Sequence, residues 1–548
     1  MAEVVDQEFS VTINPQISLV PVGQTGDMAT NVALQLAGQL NMKPRDIADK
    51  LIPRLVGQPE VVSCEVAGPG FINIICSISV FTDTGYSVQN SDHLKKRILV
   101  EYSDPNPFKP LHAGHLYTTL VGDVIARLVE KSGAETIRLN YGGDVGLHVA
   151  KSMWGILQYL GEENPVLLDQ ILEADRPAWL GERYVEGNNA YEEDEQAKKD
   201  IISLNKKVYM IQSSQDTTST LAQIYWICRT WSYDYFAVLY NQLQVTPFAR
   251  FIPESEVVEL GLSTVQAHLG DVYEQSDGAV IFDGERYGLH ARVFVNSEGL
   301  PTYETKEIGL NMTKWQDYAY DTSLIITANE QTQYMQVVLK SIEQFEPEIV
   351  KRTTHLTHGI VKLTGGVKMS SRRGNTVTAL EILESAREAG RASGTATDES
   401  TVLAAVKYAF LKHRLGGDII YDPKESVALE GNSGPYLQYA HARARSILRK
   451  GALSADTELT EDIQDGERKL LRHVALYGDI IERATEECAP HHVCTYLFEL
   501  AQEFNRFYEQ HTVIGDPRES VRLQLVALYA DTLKSGLELL GITAPQKM

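Results

Sequence analysis

The chain of 548 residues is 43% hydrophobic and carries 73 acidic against 50 basic side chains, a formal net charge of −23. This length exceeds what one hydrophobic core supports and predicts three or four domains, while the ordinary hydrophobic content excludes long disorder. The acidic balance excludes a protein that coats nucleic acid through overall positive charge.

Three absences in the sequence narrow the class of protein further. The first residues lack the basic and apolar pattern of a signal peptide, and no apolar run is long enough to span a bilayer. The five cysteines are scattered and form no CxxC pair, so neither a zinc site nor a disulfide framework is indicated. We therefore expect a cytoplasmic enzyme.

Residues 1–92 predict a small α+β domain. Apolar side chains recur at helical spacing in 31–40 and 44–56, and residues 61–76 alternate as strands do around the GPG turn at 68–70. No side chain in this region has the pattern of a catalytic group.

Residues 97–146 predict the crossover unit of a parallel sheet. The apolar run 98–102 indicates a buried strand, three prolines in 103–110 prevent a helix, and a helix begins at or just after 112–115. A second strand is predicted at 136–139. Strand, loop, helix and strand in this order build a parallel sheet.

The start of this helix, His112-Ala113-Gly114-His115, is a candidate anion site. Two imidazoles at the positive end of a helix dipole face whatever lies above the strand ends, and Gly114 leaves room for a flat ring or a phosphate. Two surface histidines at a helix start explain the pattern equally well when it is taken alone.

The segments on either side of this helix hold further candidates. Asn106 and Lys109 follow the strand end where ligands bind in open α/β sheets, although a turn asparagine and a solvated lysine are simpler readings. Asp144 lies in a glycine-rich turn at 140–146, which suits a nucleotide and amino-acid pocket or a plain turn.

Residues 150–235 are helical and polar, and they predict an insertion into the sheet domain. The acidic run 192–195 is typical of a solvated helix face. Four large aromatic side chains near the end of the segment are more typical of packing than of a cofactor site: Trp226, Trp231, Tyr233 and Tyr235.

The next candidates follow predicted strands. Glu254 stands where a helix N-terminus favours an acidic side chain. Strands are predicted at 280–282 and 291–295, and a further strand at 324–327 ends just before two polar side chains. The polar candidates of this region are Tyr303, Glu307, Glu330 and Gln331.

Residues 367–375, with the sequence VKMSSRRGN, are flanked by glycines and suit a mobile flap. Lys368, Ser370, Ser371 and Arg372 offer cationic and hydroxyl donors to phosphates. Beyond this stretch helical periodicity dominates. In 434–450 aromatic residues alternate with arginines, which suits unpaired bases and phosphate or an ordinary amphipathic helix.

The HAGH and VKMSSRRGN stretches together resemble the two signature motifs of class I aminoacyl-tRNA synthetases. The run SDPNPFKPLHAGHL followed by RLNYGGDVG resembles the arginyl-tRNA synthetase family in particular. So do GPGFIN (68–73), GPYLQYAHARARSIL (434–448) and the closing segment 522–548, and the resemblance therefore extends over nearly the whole chain.

The resemblance implies an α/β fold: a Rossmann-like parallel-sheet catalytic domain with an N-terminal α+β domain and a C-terminal all-α helical bundle. It implies tRNA contact by 1–92, catalysis by 93–380 with the insertion at about 150–235, a helical connector that supports the flap at 381–424, and anticodon binding by 425–548.

The implied reaction belongs to protein biosynthesis. ATP, with Mg²⁺ on its phosphates, would activate L-arginine as arginyl-adenylate with release of pyrophosphate, and transfer to tRNA(Arg) would release AMP. A monomer is implied by family behaviour alone.

The resemblance also assigns roles to single residues. The implied catalytic residues are His112, His115, Lys109, Lys368, Ser371 and Arg372. The implied ATP contacts are Gly114, Asp144, Met369 and Ser370. The implied arginine contacts are Asn106, Glu254, Tyr303, Glu307, Glu330 and Gln331. The implied tRNA contacts are Tyr436, Tyr439, Arg443 and Met548.

Four residues depart from the family pattern. Ser371 replaces a second lysine, whose charge Lys109 would then supply, and Glu307 replaces an aspartate. Glu330 and Gln333 stand near positions where the family usually has a glutamine and a histidine. These departures keep two alternatives open. One is a catalytically silent tRNA-binding relative, and the other is a different class I synthetase, which would lack the ordered arginyl motifs.

Overall fold

The computed structural model describes residues 1–20, 25–82, 93–364, 377–395, 398–451, 459 and 462–548. Within those ranges no helix is both long and apolar enough to cross a membrane.

The N-terminal region is α+β, as the sequence predicts. Its elements are α1 (Ala2–Phe9), β1 (Ile17–Leu19), β2 (Met28–Thr30), α2 (Val32–Leu40), α3 (Pro44–Val56), β3 (Val61–Ala67), β4 (Phe71–Cys76) and α4 (Ser79–Thr82). The strands form an antiparallel sheet in the order β1-β2-β4-β3. Leu36 and Leu51, from the two predicted helices, are fully buried in the core that includes this sheet. A Cβ on Gly70 in the β3–β4 turn would lie 2.5 Å from the Cβ of Pro44, so this close approach requires glycine.

The middle region is α/β and has the largest number of elements. Its strands are β5 (Arg97–Glu101), β6 (Glu135–Gly142), β7 (Arg250–Pro253), β8 (Glu274–Ser276), β9 (Ala279–Phe282), β10 (Arg292–Val295), β11 (Thr322–Ala328), β12 (Thr353–His358), β13 (Val361–Leu363) and β14 (Ile419–Tyr421). Its helices are α5 (Ala113–Lys131), α6 (Leu147–Leu160), α7 (Arg176–Glu193), α8 (Glu195–Ser214), α9 (Thr220–Gln242), α10 (Glu254–Ala267), α11 (Tyr303–Tyr318), α12 (Thr332–Glu343), α13 (Pro347–Arg352), α14 (Ala379–Ser393), α15 (Glu399–Leu411) and α16 (Pro423–Ser426).

The central sheet is parallel and has the order β12-β11-β5-β6-β7. Strand β5 lies in the middle, and its residues Ile98, Leu99 and Val100 are buried, as a strand covered on both faces requires. The chain continues from β5 to one side and returns on the other with β11. The carboxyl end of β5 is therefore the switch point where ligands bind in such sheets.

Helices α6 to α9 form the predicted insertion. They pack around their own apolar core, which includes Met153, Val208 and Ile224, and Trp226 and Trp231 cover its edge. The prediction that these aromatic residues serve in packing is confirmed.

The C-terminal region is an all-α bundle, as predicted. Its helices are α17 (Gly434–Lys450), α18 (Asp465–Ala475), α19 (Tyr477–Glu486), α20 (His491–Gln510) and α21 (Glu519–Leu539). Apolar residues at helical spacing on α20, such as Leu497, Leu500 and Phe504, are fully buried.

A polar latch joins the N-terminal region to this bundle. The guanidinium of Arg468 on α18 donates to both carboxylate oxygens of Asp27, at 2.8 and 2.7 Å. Arg472, one turn further on, donates to the carbonyl oxygen of Gly26 at 2.8 Å. Asp27 is almost fully buried, so the first and last regions of the chain are held in a fixed relation.

Candidate active site

The loop that follows β5 is strained and firmly held. Ser103, Asp104 and Phe108 all adopt left-handed backbone conformations, with φ of 79°, 47° and 68°. The hydroxyl of Ser103 lies 2.7 Å from that of Tyr240, and a carboxylate oxygen of Asp104 accepts the backbone N–H of Tyr141 at 2.9 Å. Such strain persists where surrounding contacts fix it, and here it directs the loop across the carboxyl edge of the sheet.

The two histidines of the HAGH motif cap α5. His112 is the N-cap residue, and its Nδ1 accepts the backbone N–H groups of Gly114 at 3.0 Å and His115 at 3.4 Å. The two imidazole rings lie with their centroids 3.8 Å apart. A Cβ on Gly114 would lie 2.8 Å from Cε1 of His112, so glycine is required because the His112 ring folds over it.

Both imidazoles are neutral near physiological pH. Burial, with a contribution from Lys109, lowers the pKa of His112 to about 4 and that of His115 well below its usual range. Because Nδ1 of His112 accepts hydrogen bonds, its single proton lies on Nε2. His112 therefore presents a neutral N–H donor, which suits a phosphate or a ribose oxygen.

Lys109 supplies a cation beside this pair. Its ammonium lies 5.0 Å from the centroid of the Tyr184 ring on α7. Burial lowers the pKa of Lys109, while Glu254 opposes that shift. The lysine is held against the insertion and is not a freely solvated loop residue.

Asn106, His148 and Tyr303 meet at the glycine turn after β6. A Cβ on Gly143 would lie 2.3 Å from Oδ1 of Asn106, so the two segments approach closely at this glycine. Nε2 of His148 lies 2.7 Å from the carbonyl oxygen of Gly143, and its Nδ1 lies 3.0 Å from the hydroxyl of Tyr303. His148 therefore orients Tyr303.

Carboxylates gather at the α10–α11 side of the same edge. Glu254 begins α10 and is ion-paired with Lys306, both side chains being almost fully buried. Glu307 is also buried and accepts the Asn311 amide N–H at 3.1 Å. One turn further on, Lys314 donates to Glu101 of β5 at 2.7 Å.

Negative charge exceeds positive charge in this cluster. Burial and, after it, the charge of Glu101 raise the pKa of Glu307 to about 8, although Lys314 opposes the shift. Burial also raises the pKa of Asp104, again with Glu101 contributing. Among the described residues, Glu101, Asp104, Glu254 and Glu307 thus share only two lysines, Lys306 and Lys314. A guanidinium or ammonium group of a ligand would relieve the repulsion.

Asp144, a predicted ATP contact, is engaged by other side chains of the protein. It is fully buried, and its carboxylate accepts from Arg229 at 2.9 Å and from the Ser255 backbone N–H and hydroxyl at 2.9 and 2.8 Å. Gln212 donates to it as well, at 3.2 Å. This geometry favours a positioning role, since these partners join α8, α9 and α10.

Glu330 and Gln331 lie in a short 3-10 helix, Asn329–Gln331, directly after β11. Both are exposed, and β11 pairs with β5, so they lie at the same carboxyl edge as the HAGH motif.

The flap candidates Lys368, Met369, Ser370, Ser371 and Arg372 lie outside the described residues. The chain on their C-terminal side lies beside the HAGH motif. The backbone N–H of Ala379 donates to the carbonyl oxygen of Leu111, the residue before this motif, at 2.8 Å.

The candidate tRNA contacts lie on α17 and at the chain end. Tyr439 and Met548 are exposed, and the Arg443 guanidinium lies 4.6 Å from the centroid of the Tyr508 ring. Tyr436 is partly buried, and its hydroxyl accepts from Asn505 at 2.9 Å. At 100° per residue, Tyr436, Tyr439 and Arg443 share one side of α17.

The opposite side of α17 holds the last residues of the chain. The side chains of Gln438, His441 and Arg449 bind the carbonyl oxygens of residues 543, 545 and 546, each at 2.8 Å. Met548 is thereby kept near α17.

Several residues of the site were not predicted from the sequence: Glu101, Asp104, His148, Lys306, Asn311 and Lys314. A signal existed for some of them. Glu101 is an acidic residue in an apolar strand, and 307, 311 and 314 are polar positions on one helical face.

Comparisons with known proteins give matches along nearly the whole chain. The family model "tRNA synthetases class I (R), catalytic domain" matches residues 78–420, the "DALR anticodon binding domain" matches 437–548, and the "Arginyl tRNA synthetase N terminal domain" matches 2–76. A Flavobacterium psychrophilum protein named arginine–tRNA ligase is 28% identical over 99% of this chain and 94% of its own length. A protein of the same name from Synechococcus sp. is 28% identical over 95% of this chain and 93% of its own length.

Two solved structures have the same fold. The arginyl-tRNA synthetase of Thermus thermophilus superposes with a TM-score of 0.78 at 22% identity, over 100% of this chain and 98% of its own. The arginyl-tRNA synthetase of Plasmodium falciparum superposes with a TM-score of 0.77 at 20% identity, over 100% of this chain and 97% of its own.

Proposed function

The chain belongs to the class I tRNA synthetases (R), whose catalytic-domain model matches more than half of its length, and we infer from this that it is an arginine–tRNA ligase. It attaches arginine to tRNA at the expense of ATP. The observation that carries this function is the division of the sheet edge. Neutral imidazoles and Lys109 lie on one side, and a buried cluster in which acidic side chains outnumber lysines lies on the other. A triphosphate fits the first side and a guanidinium the second.

The first step joins the two substrates. The carboxylate oxygen of arginine attacks the α-phosphorus of ATP, the bond to the β-phosphate oxygen breaks, and arginyl-adenylate and pyrophosphate result. The N–H donor of His112, the His115 ring and the Lys109 ammonium stabilise the charge that develops on the phosphates. Lys368, Ser371 and Arg372 stay a sequence prediction for the same role.

Arginine is held from the opposite side. Glu254, Tyr303 and Glu307 face its cationic groups, and Asn106 lies at the end of β5 beside them. Asp144 acts through Ser255, which it binds and which directly follows Glu254 in the chain. Glu330 and Gln331, at the end of β11, are proposed as weaker contacts.

Mg²⁺ would enter with ATP as its complex and shield the phosphate charge. The described residues on the ATP side offer donors and a cation, and the carboxylates are on the arginine side. The ion would therefore be held by phosphate oxygens.

In the second step a ribose hydroxyl of the terminal adenosine of tRNA attacks the arginyl carbonyl, and AMP leaves. We propose that residues 425–548 bind the anticodon region through Tyr436, Tyr439, Arg443 and Met548, and that 1–92 contacts another part of the tRNA. A monomer in the cytoplasm is the proposed state, because the charged tRNA serves translation there.

Aminoacylation of tRNA with each amino acid in turn tests the function. We expect ATP-dependent charging with arginine only. Binding of tRNA without charging would support a silent relative, and charging with another amino acid would support a different class I synthetase. Neither alternative gains support from the relatives, which match over nearly their whole length.

A further inference from the structure

Tyr141 lies at the carboxyl edge of the sheet, and none of the roles above uses its side chain. It lies near the carboxyl end of β6, where it pairs with Ile252 of β7 just before Glu254. Because side chains alternate along a strand, Tyr141 faces the same side of the sheet as Ile137 and Leu139. This side packs against α10 and α11, and the Tyr141 ring contacts the apolar cluster that includes Val257 and Leu310.

The hydroxyl of Tyr141 is buried and has no hydrogen-bond partner among the residues that the structure describes. A buried hydroxyl without a partner costs free energy, so such a group in a native protein needs an explanation. Burial raises the pKa of Tyr141 well above its usual range, and Glu254 and Glu307 are the carboxylates that raise it most. The hydroxyl is therefore neutral, and it shares an electrostatic environment with these two acidic side chains.

We propose that the Tyr141 hydroxyl is a further specificity-determining contact for the substrate, and that its oxygen accepts an N–H of the arginine guanidinium between Glu254 and Glu307. This inference rests on the proposed function. A guanidinium carries five N–H donors in one plane. Two carboxylates that already accept other hydrogen bonds do not accept all five donors well. Glu254 is engaged by Lys306 and Glu307 by Asn311. A neutral oxygen between them accepts a donor without adding to the excess negative charge.

This role explains why the hydroxyl is kept at a cost to stability. Without substrate it has no partner among the described residues, and bound arginine supplies one. A phenylalanine would fill the same space in the apolar cluster without the buried polar atom. Tyr141→Phe is thus expected to keep or slightly raise the melting temperature while arginine binding weakens.

The test compares Tyr141→Phe with Tyr529→Phe. Tyr529 on α21 also has a buried hydroxyl without a described partner, but it lies in the helical bundle, where it stacks on Phe504 at 3.9 Å between ring centroids. Steady-state aminoacylation gives the KM for arginine, ATP and tRNA, and calorimetry gives the arginine affinity of the full-length protein independently of turnover.

We expect the KM for arginine to rise about tenfold in Tyr141→Phe, with kcat at saturating arginine and the KM for ATP within twofold of wild type. Tyr529→Phe should leave the KM for arginine, kcat and the KM for ATP unchanged. An unchanged arginine KM in a folded Tyr141→Phe would overturn the inference, and so would a parallel rise in the KM of all three substrates. A wild-type protein that does not charge arginine would instead refute the proposed function.

Discussion

The backbone N–H of Ala113 donates a 2.7 Å hydrogen bond to the carbonyl oxygen of Val377. Ala113 is the first residue of α5, and Val377 is the first described residue after 365–376. The chain thus leaves that stretch directly beside the HAGH motif. This contact supports the proposal that the cationic residues 368–372 and the two imidazoles serve one triphosphate.

The double role of His112 gives a first prediction. His112→Ala removes both the ring and the N-cap, whereas His112→Asn removes the ring but keeps a capping side chain. We expect both variants to lower adenylate formation at least tenfold, since the N–H donor is lost. Only the alanine variant should also lose about 1 kcal/mol of stability, measured by denaturant unfolding. Full activity of the asparagine variant would assign the histidine to capping alone.

Positions 109 and 371 should be interchangeable sites for one positive charge, which Lys109 carries in this chain. Lys109→Ala is expected to raise the KM for ATP and lower kcat, because the phosphates lose a cation. Introducing Ser371→Lys into that variant should restore part of the activity. Pyrophosphate exchange in the presence of tRNA measures both effects. If the double variant is as inactive as Lys109→Ala, the two positions do not compensate.

Glu307 should make arginine binding depend on pH. In the unliganded protein the pKa of Glu307 is raised to about 8, so the carboxyl is mostly protonated at pH 6.5. A bound guanidinium favours the charged form, and binding therefore releases a proton. The KM for arginine should fall as pH rises from 6.5 to 8 and then level off.

Glu307→Gln is the control for this profile. It should raise the KM for arginine, by an amount that corresponds to a few kcal/mol of lost binding free energy. It should also abolish the pH dependence, because the titrating group is gone. A wild-type profile that is flat over this range, or a glutamine variant with the wild-type KM, would remove Glu307 from the pocket.

Asp144→Asn separates positioning from nucleotide contact. The substitution leaves the Arg229 guanidinium without its counter-charge and weakens the hold on Ser255, so we expect a loss of about 3 kcal/mol in the free energy of unfolding. Because Ser255 follows Glu254, the KM for arginine should rise. The KM for ATP should stay within twofold of wild type, and a selective rise in it would instead favour direct contact with ATP.

The Asp27–Arg468 latch should matter for stability and for tRNA. Asp27→Asn removes a buried charge from a bidentate pair and should cost about 2 kcal/mol. The matched change Glu8→Gln, in the exposed pair with Arg54 of the same domain, should cost less than about 0.5 kcal/mol. If the latch fixes two tRNA-binding regions, the KM for tRNA rises in Asp27→Asn while the KM for ATP does not.

Local patterns predicted most of the elements of this chain. The start of α5 at 112–115 and the helices α2 and α3 were predicted, because turn residues and apolar periodicity act over a few positions. The ordered motifs predicted the family, since their residue types are set by the chemistry of the substrates.

Only the tertiary structure decided which polar side chains share a charge environment. Sequence spacing could not show that Asp144 is fully paired with Arg229 and Ser255, or that Glu101 and Lys314, 213 positions apart, form a buried pair. Nor could it show that the buried Tyr141 hydroxyl finds no hydrogen-bond partner in the described part of the chain. Burial and electrostatics depend on distances across the sheet, and these distances are fixed only when β5, α10 and α11 pack together.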